Sequence, residues 1–281
     1  MNQLLPVSVT IKSKGRILDL SSPVVMGILN ATPNSFYNKG RESDLDSLLR
    51  NAEKMLADGA AILDIGGAST KPGEELIAAD EELKRVVPVI EAVHNRFPEA
   101  WISVDTYNAS VAREAVNAGA SIVNDISAGI FDGTMIPTVA ALKVPYIVMH
   151  IQGTPETMQQ HPEYEDVVRV VREYLVDICN KCSRAGIKDV IIDPGFGFGK
   201  TVEHNFSLLR ELHSFRMLGR PVLAGLSRKS MIWKTVGSDA DHALNGTTAL
   251  NMIALTQGAG ILRVHDVKEA VETIKLFKRL A

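Results

Sequence analysis

Eight positions along this 281-residue chain carry groups with chemical potential, and each stands at the end of a short apolar run. They are Asn30, Gly66-Gly67, Asp105, Asn124-Asp125, His150, Asp193, Ser227-Arg228-Lys229 and Arg263-Val264-His265. Asp105, Asn124 and Asp193 supply carboxylate and amide groups that accept from a planar, nitrogen-rich heterocycle. A carboxylate facing a ring N–H and an exocyclic NH2 makes a paired, charge-assisted hydrogen bond. Lys229 is suited to donate to a ring carbonyl. Asn30, Arg263 and His265 favour an anion, and arginine takes phosphate in a forked geometry. A heterocycle with a phosphorylated arm suits both halves. A lone Asp after a strand is usually a turn or N-cap residue, and His150 reads equally as a packed histidine or a ligand contact. One bland explanation covering all eight positions is much harder to sustain.

Such groups need a scaffold that brings them to one mouth. The apolar runs 24–29, 60–65, 101–104, 121–123, 144–149, 189–192, 221–225 and 260–264 are rich in Val and Ile. Continuous hydrophobicity over about five residues marks strands buried on both faces of a parallel sheet. Helical patterns lie between them: 44–58 before Gly59, 81–96 before Pro98, 108–118 before Gly119, 164–185 before Gly186, and 203–213. Asp266 with Glu269 reads as a capping box opening a final helix. The alternation predicts an α/β chain of one domain, a (β/α)8 TIM barrel whose active groups sit at the C-terminal strand ends. A doubly wound open sheet is the alternative. Val7, Val9 and Ile11 alternate, and Ser13-Lys14-Gly15-Arg16 can turn. This predicts a short N-terminal β-hairpin within 1–22 under the bottom of a barrel spanning 23–281.

Composition narrows the classes. Hydrophobic residues make up 46% of the chain, enough for a sizeable core, and the net charge is −3. That leaves no global basic field to recruit nucleic acid and no reason to invoke a membrane surface. Apolar stretches such as 144–149 are far too short to span a bilayer. The first residues lack a charged segment followed by an apolar one, so no secretory signal is expected and the cytoplasm is the expected address. Cys179 and Cys182 form a C-x-x-C, but no second pair completes a zinc site. Both fall in an apolar helical stripe with Val171, Leu175 and Ile178, which predicts core thiols. Gly195–Thr201 imitates a phosphate-binding loop, yet Pro194 stands where that pattern needs Gly; Lys200 is expected to be peripheral. His94, His161, His204, His213 and His242 are expected to share no role.

Met26-Gly27-Ile28-Leu29-Asn30-Ala31-Thr32-Pro33-Asn34-Ser35-Phe36 resembles the first-loop signature of the dihydropteroate synthases, and Asp64-Ile65-Gly66-Gly67-Ala68-Ser69-Thr70-Lys71-Pro72-Gly73 resembles their second loop. Further segments agree in order: Ser103-Val104-Asp105-Thr106, Asn124-Asp125-Ile126, Met149-His150, Asp193-Pro194-Gly195-Phe196-Gly197-Phe198-Gly199-Lys200, Ser227-Arg228-Lys229-Ser230 and Arg263-Val264-His265-Asp266-Val267.

The resemblance implies condensation of p-aminobenzoate with 6-hydroxymethyl-7,8-dihydropterin pyrophosphate, releasing pyrophosphate in folate biosynthesis. It implies that Asp105, Asn124, Asp193 and Lys229 hold the pterin, with Met149 and Phe198 as apolar walls. Asn30 would ligate Mg2+ bound to pyrophosphate, helped by Thr70, Arg263 and His265. Phe36, Pro72 and Ser230 would shape the p-aminobenzoate pocket, with the arylamine's carboxylate near the helix start at Ser230. Asp105, Asp193, Lys229 and Arg263 are the expected catalytic set, in an SN1-like transfer. A homodimer is implied as well. Three positions depart from the family's habit: Asn34 where Asp is common, Lys71 where Arg is, and Ala68 where Glu or Gln often stands. Lys71 keeps the charge but loses the forked contact.

Other chemistries are open to parts of this set. A pterin-dependent methyltransferase barrel shares the Asp/Asn/Asp pocket but needs no p-aminobenzoate site. A Schiff-base aldolase would use Lys229 as nucleophile, leaving the heterocycle acceptors unexplained. A non-catalytic pterin-binding barrel has no use for a pyrophosphate clamp.

Overall fold

The computed structural model describes residues 9–31, 41–69 and 73–280. An N-terminal hairpin, β1 (Thr10–Ser13) and β2 (Arg16–Asp19), precedes an eight-stranded parallel sheet. The sheet's strands are β3 (Val24–Asn30), β4 (Ile62–Gly66), β5 (Trp101–Asp105), β6 (Ile122–Asp125), β7 (Tyr146–Met149), β8 (Val190–Asp193), β9 (Leu223–Ala224) and β10 (Ile261–Val264). Their order is β8-β7-β6-β5-β4-β3-β10-β9. The remaining edges meet where Ile192 bridges Val222 in parallel and Ile192 N donates to Pro221 O at 3.0 Å. The sheet therefore closes into the expected barrel, and every predicted strand forms with its ends within two residues of expectation. β9 is the shortest because Pro221 has no N–H to give to a ladder.

The helices α1 (Arg41–Ala57), α2 (Ala79–Arg96), α3 (Ala109–Ala118), α4 (Met135–Leu142), α5 (Val167–Ala185), α6 (Val202–Arg210), α7 (Ser230–Val236), α8 (Leu244–Thr256) and α9 (Val267–Phe277) follow the strands. Their apolar stripes bury Val25, Leu63, Ile65, Val104, Val148 and Ile192 from the outside of the barrel. Predicted helix 164–185 begins three residues late because Asp166 caps it, its side chain accepting from Arg169 N at 3.0 Å. Predicted helix 203–213 divides into α6 and a 3-10 segment, Leu212–Leu218. The capping box expected at Asp266 does not form. Both of its carboxylate oxygens are taken by Arg228, Nε at 3.1 Å and Nη2 at 2.7 Å, a charge-assisted fork stronger than a backbone cap. Cys182 is buried and Cys179 half-buried; burial pushes their thiols up to about 12 and about 11, which suits core residues.

Strand residues alternate faces, and that alternation explains the barrel interior. Met26, Ile62, Trp101, Ile122, Ile147, Ile191, Leu223 and Ile261, one from each strand, form an apolar floor. The β1–β2 hairpin seals it from below with Ile11 and the adjoining Leu20. Arg16 fixes the hairpin by donating to the carbonyls of Pro98, Glu99 and Ala100 and by lying 5.2 Å from the Trp101 ring centroid. Two residues further along the same inward face, or four in β5, come Asp64, Asp105, Asn124, Met149, Asp193 and Arg263. The floor is hydrocarbon and the mouth is charged. Among the described residues, no helix is long and apolar enough to cross a membrane.

Candidate active site

Arg263 organises one side of the mouth. Its Nε donates to Asp64 Oδ2 at 2.6 Å and its Nη2 to Asp105 Oδ2 at 2.5 Å. Asp64 Oδ2 also accepts from Asn124 Nδ2 at 3.1 Å, which leaves the Asn124 amide oxygen to face other partners. Asp64 is 1% exposed, and its Oδ1 has no hydrogen-bond partner among the described residues. Burial opposes the Arg263 charge, but Asp64 and Asp105 outweigh it and hold the guanidinium protonated. Asp105 is pushed up to about 7 by burial, against the pull of Arg263. Gly66 faces this pair: a methyl group there would lie 3.3 Å from Asp105 Cβ.

The opposite side is built on the loop after β8. Asp193 is 6% exposed, and its Oδ1 accepts from Gly195 N at 2.7 Å. Burial raises the Asp193 pKa, while its bond to Gly195 and the Lys229, Arg263 and Lys200 charges pull it back. Lys229 Nζ donates to Phe196 O at 2.5 Å and lies 4.1 Å from the Phe198 ring centroid, a cation–π distance. Burial lowers the lysine to about 8, against the attraction of Asp193. Met149 and Phe198 join Tyr107, Ile126, Ile151 and Met158 in one apolar cluster, with Ala68 and Phe131 against it. Of the expected pterin groups, Asp105 and Asn124 meet around Asp64 and Arg263, whereas Met149, Phe198, Asp193 and Lys229 line the other wall.

Asn30 is the last residue of β3 and is exposed. His265 Nδ1 lies 3.0 Å from Ser227 Oγ, which itself accepts from His265 N at 3.2 Å. The Ser227 hydroxyl thus joins the His265 backbone to its ring and fixes the orientation of the imidazole. Partial enclosure, with the Arg263, Arg228 and Lys229 charges, lowers the imidazole's pKa below its usual value. Ser230 opens α7, directly after Lys229. Phe36, Thr70 and Pro72, with the departures Asn34 and Lys71, lie outside the described residues.

A second tier sits behind these groups. His150, readable two ways in the sequence, is packed: its Nδ1 lies 3.0 Å from Lys200 Nζ and its ring meets Tyr174 edge-on at 4.9 Å. Burial and the Lys200 charge lower it to about 3. Lys200, expected to be peripheral, is 2% exposed, because a glycine-rich loop turns its carbonyls onto the ammonium. Asp125 points away from the mouth, its carboxylate accepting from Ser127 N, Ser127 Oγ, Gly129 N and Tyr146 Oη. Sequence reasoning misses Asp64 as a site residue. Its signal is a lone charge inside the apolar run Ile62-Leu63-Asp64-Ile65, which is costly unless paired.

The pterin binding enzyme family matches residues 26–265. The dihydropteroate synthase of Haemophilus influenzae is 48% identical over 271 residues, covering 96% of this chain and 98% of that protein. Among solved structures, Yersinia pestis dihydropteroate synthase with a sulfonamide drug superimposes with a TM-score of 0.90 at 42% identity, covering 96% of this chain and 98% of that one. Xanthomonas albilineans dihydropteroate synthase in complex with 7,8-dihydropteroate gives 0.87 at 38% identity, covering 96% and 98%. With a barrel mouth of this composition and likeness along nearly its whole length, the chain belongs to the pterin-binding enzymes, among the dihydropteroate synthases.

Proposed function

We infer that this protein is a dihydropteroate synthase, a transferase that joins p-aminobenzoate to 6-hydroxymethyl-7,8-dihydropterin pyrophosphate and releases pyrophosphate. The observation that carries the reading is the convergence of Asp105, Asn124, Asp193 and Lys229 on one mouth beside the apolar wall of Met149 and Phe198. Carboxylates and an amide oxygen match the N–H edge of a pterin, Lys229 matches its carbonyl, and Phe198 matches its face.

The chemistry follows from charge. The bond between the pterin methylene carbon and the pyrophosphate oxygen breaks, with its electron pair leaving on oxygen. Asp105 and Asp193 stabilise the methylene cation, which is delocalised into the ring. Arg263 and His265 face the charge that grows on pyrophosphate. The arylamine nitrogen then attacks the carbon and loses a proton; it needs positioning more than activation. Asn30 would hold Mg2+ together with pyrophosphate oxygens, and this fits the donors present. Mg2+ is commonly held by one or two protein oxygens plus substrate phosphates, and the Asn30 side chain, exposed at the end of β3, supplies one such oxygen. When bound, the ion neutralises charge developing on the leaving group.

Two further features belong to this reading. A homodimer through the C-terminal helices is supported by the exposed apolar side chains Val236, Ile253, Leu276 and Leu280. A cytoplasmic address is supported by the free thiols Cys179 and Cys182. The experiment that tests the function is pyrophosphate release from the dihydropterin pyrophosphate with Mg2+ on purified protein. Release that requires p-aminobenzoate and stops in Asp193→Ala is the expected result. Intact pterin binding without release would sink the synthase reading and leave a methyltransferase or a pure pterin binder.

A further inference from the structure

We propose that Lys200 is a positioning residue for pterin binding: its ammonium is the internal cation around which the loop after β8 is wound, and it sets where Phe198 and the Phe196 carbonyl stand. The proposal rests on the pterin reading of the mouth.

Lys200 is buried, yet its partners are carbonyls and an imidazole rather than a carboxylate. Nζ donates to Gly195 O at 2.9 Å, Phe198 O at 2.9 Å and His150 O at 3.3 Å, and it lies 3.0 Å from His150 Nδ1. An ammonium has three hydrogens and no lone pair, so these acceptors account for all of its donors. The arrangement is a cage of backbone oxygens of the kind that holds a bare cation, here filled by a tethered one. Gly195 makes the close approach possible. Its φ is +72°, and a methyl group there would lie 2.0 Å from His150 O. Outer supports complete the loop: Tyr164 Oη donates to Gly199 O at 2.8 Å, and Gly197 N donates to Asn205 Oδ1 at 2.7 Å.

The mouth-facing parts of the same loop are the ones the pterin reading uses. Gly195 N holds Asp193, Phe196 O takes Lys229 Nζ, and the Phe198 ring lies under Lys229. Without the ammonium, the carbonyl oxygens of Phe198 and His150 would lose the donor that Lys200 supplies in a buried space, and Gly195 O would keep only Phe198 N, at 3.1 Å, a state that costs free energy. The loop would relieve this by turning them away, displacing Phe198 and the Lys229 acceptor. Among the described residues Ser230 itself makes no hydrogen bond to this cage, and it is held by α7, so the p-aminobenzoate side is expected to stay in place.

The test compares the unchanged protein with Lys200→Met, which keeps the length of the apolar stem but has no donor, and with Lys200→Ala. The affinity for the dihydropterin pyrophosphate with Mg2+ is measured by calorimetry, and the KM for p-aminobenzoate at saturating pterin substrate. The expected result is pterin affinity weakened roughly tenfold to a hundredfold in Lys200→Met, as misplaced binding groups produce, with the p-aminobenzoate KM within about twofold. n-Propylammonium chloride, which replaces the missing tail, restores pterin affinity to Lys200→Ala, while tetramethylammonium chloride at equal strength does not. If Lys200→Met does not fold, the rescue of Lys200→Ala decides alone. Unchanged pterin affinity in folded Lys200→Met, an equal loss for both substrates, or no difference between the two ammonium salts would overturn the proposal. If the unchanged protein itself fails to bind the pterin substrate, it is the functional reading that falls.

Discussion

Arg263 Nε donates to Asp64 Oδ2 at 2.6 Å, joining residues 199 positions apart in the chain. The bond links β10 to β4 past the intervening β3. Because the same oxygen accepts from Asn124 Nδ2, Asp64 ties the guanidinium of the anion side to the amide of the pterin side. Neither residue could hold its place alone: a buried carboxylate and a largely buried guanidinium are each costly without the other.

Asp64→Asn should therefore weaken both stability and pterin binding. The substituted amide can still offer one oxygen to Arg263 Nε and Asn124 Nδ2, which share Oδ2, but it lacks the charge that balances the guanidinium and puts an NH2 where the unpartnered Oδ1 stands. Breaking a buried pair costs about 3–5 kcal/mol, and the Asp105 bond that remains should keep the loss near the lower end. Urea unfolding measures the first effect and calorimetry with the pterin substrate the second. A variant within about 0.5 kcal/mol of the parent, the ordinary range for a surface change, would show that Asp64 is not the keystone of the mouth.

Pterin affinity should follow a narrow bell in pH. Asp105, pushed up to about 7, must be ionised to accept the pterin's N–H edge, so affinity rises as pH passes that value. Lys229, lowered by burial to about 8, and Lys200, lowered by burial to about 7, must be protonated to hold their acceptors, so affinity falls as pH passes those values. For folding, the Asp105 shift has the opposite sense. The folded chain holds this proton more tightly than the unfolded one, so the group's contribution declines as pH rises from about 4 to about 7. Calorimetry across this range, repeated on Asp105→Asn, separates the limbs; an acidic limb that persists in the variant belongs to another group.

His265→Ala should weaken pyrophosphate binding by about tenfold, the loss of one hydrogen bond to a charged group. Burial and the Arg263, Arg228 and Lys229 charges lower this imidazole's pKa in the protein without ligand, so the substitution removes a hydrogen-bonding group rather than a standing positive charge. Product inhibition by pyrophosphate is the measurement. Equal inhibition of parent and variant would remove His265 from the anion side.

The barrel was legible because each strand, buried on both faces, reads as a continuous apolar run, and most of its mouth because a polar group closes each run; in the structure the two are joined by a period of two. The residue two places after Ile122 is Asn124, after Ile147 Met149, after Ile191 Asp193 and after Ile261 Arg263, so a floor position predicts a mouth position. Lys200 was illegible for the opposite reason. Its burial depends on glycine-enabled carbonyls and on His150 from another strand, none of which a linear pattern encodes. Asp266 misled because its acceptor capacity is diverted to Arg228, 38 residues away. α4 and α8 went unnoticed as separate helices: Met135-Ile136-Pro137 and the run Leu250-Asn251-Met252-Ile253 spread apolar residues around the axis, without the one-sided stripe that marks a surface helix.

Two glycine substitutions separate backbone conformation from packing. Gly15, in the β1–β2 turn, has φ +77° with nothing within 4 Å of where a methyl group would stand, whereas Gly195 has a similar φ but would place its methyl 2.0 Å from His150 O. Gly15→Ala should carry only the left-handed penalty, about 1–2 kcal/mol, and leave pterin affinity unchanged. Gly195→Ala carries that penalty plus a clash that can be relieved only by moving β7's exit or the loop itself. It should be destabilised by more than about 3 kcal/mol, and any folded fraction should bind the pterin poorly, since a shifted loop would carry the residue-195 backbone N–H away from Asp193. Thermal unfolding and pterin titration of the two variants side by side make the comparison. Similar losses in both would mean that the loop after β8 is free to shift, and that its close approach to His150 does not set the geometry of the mouth.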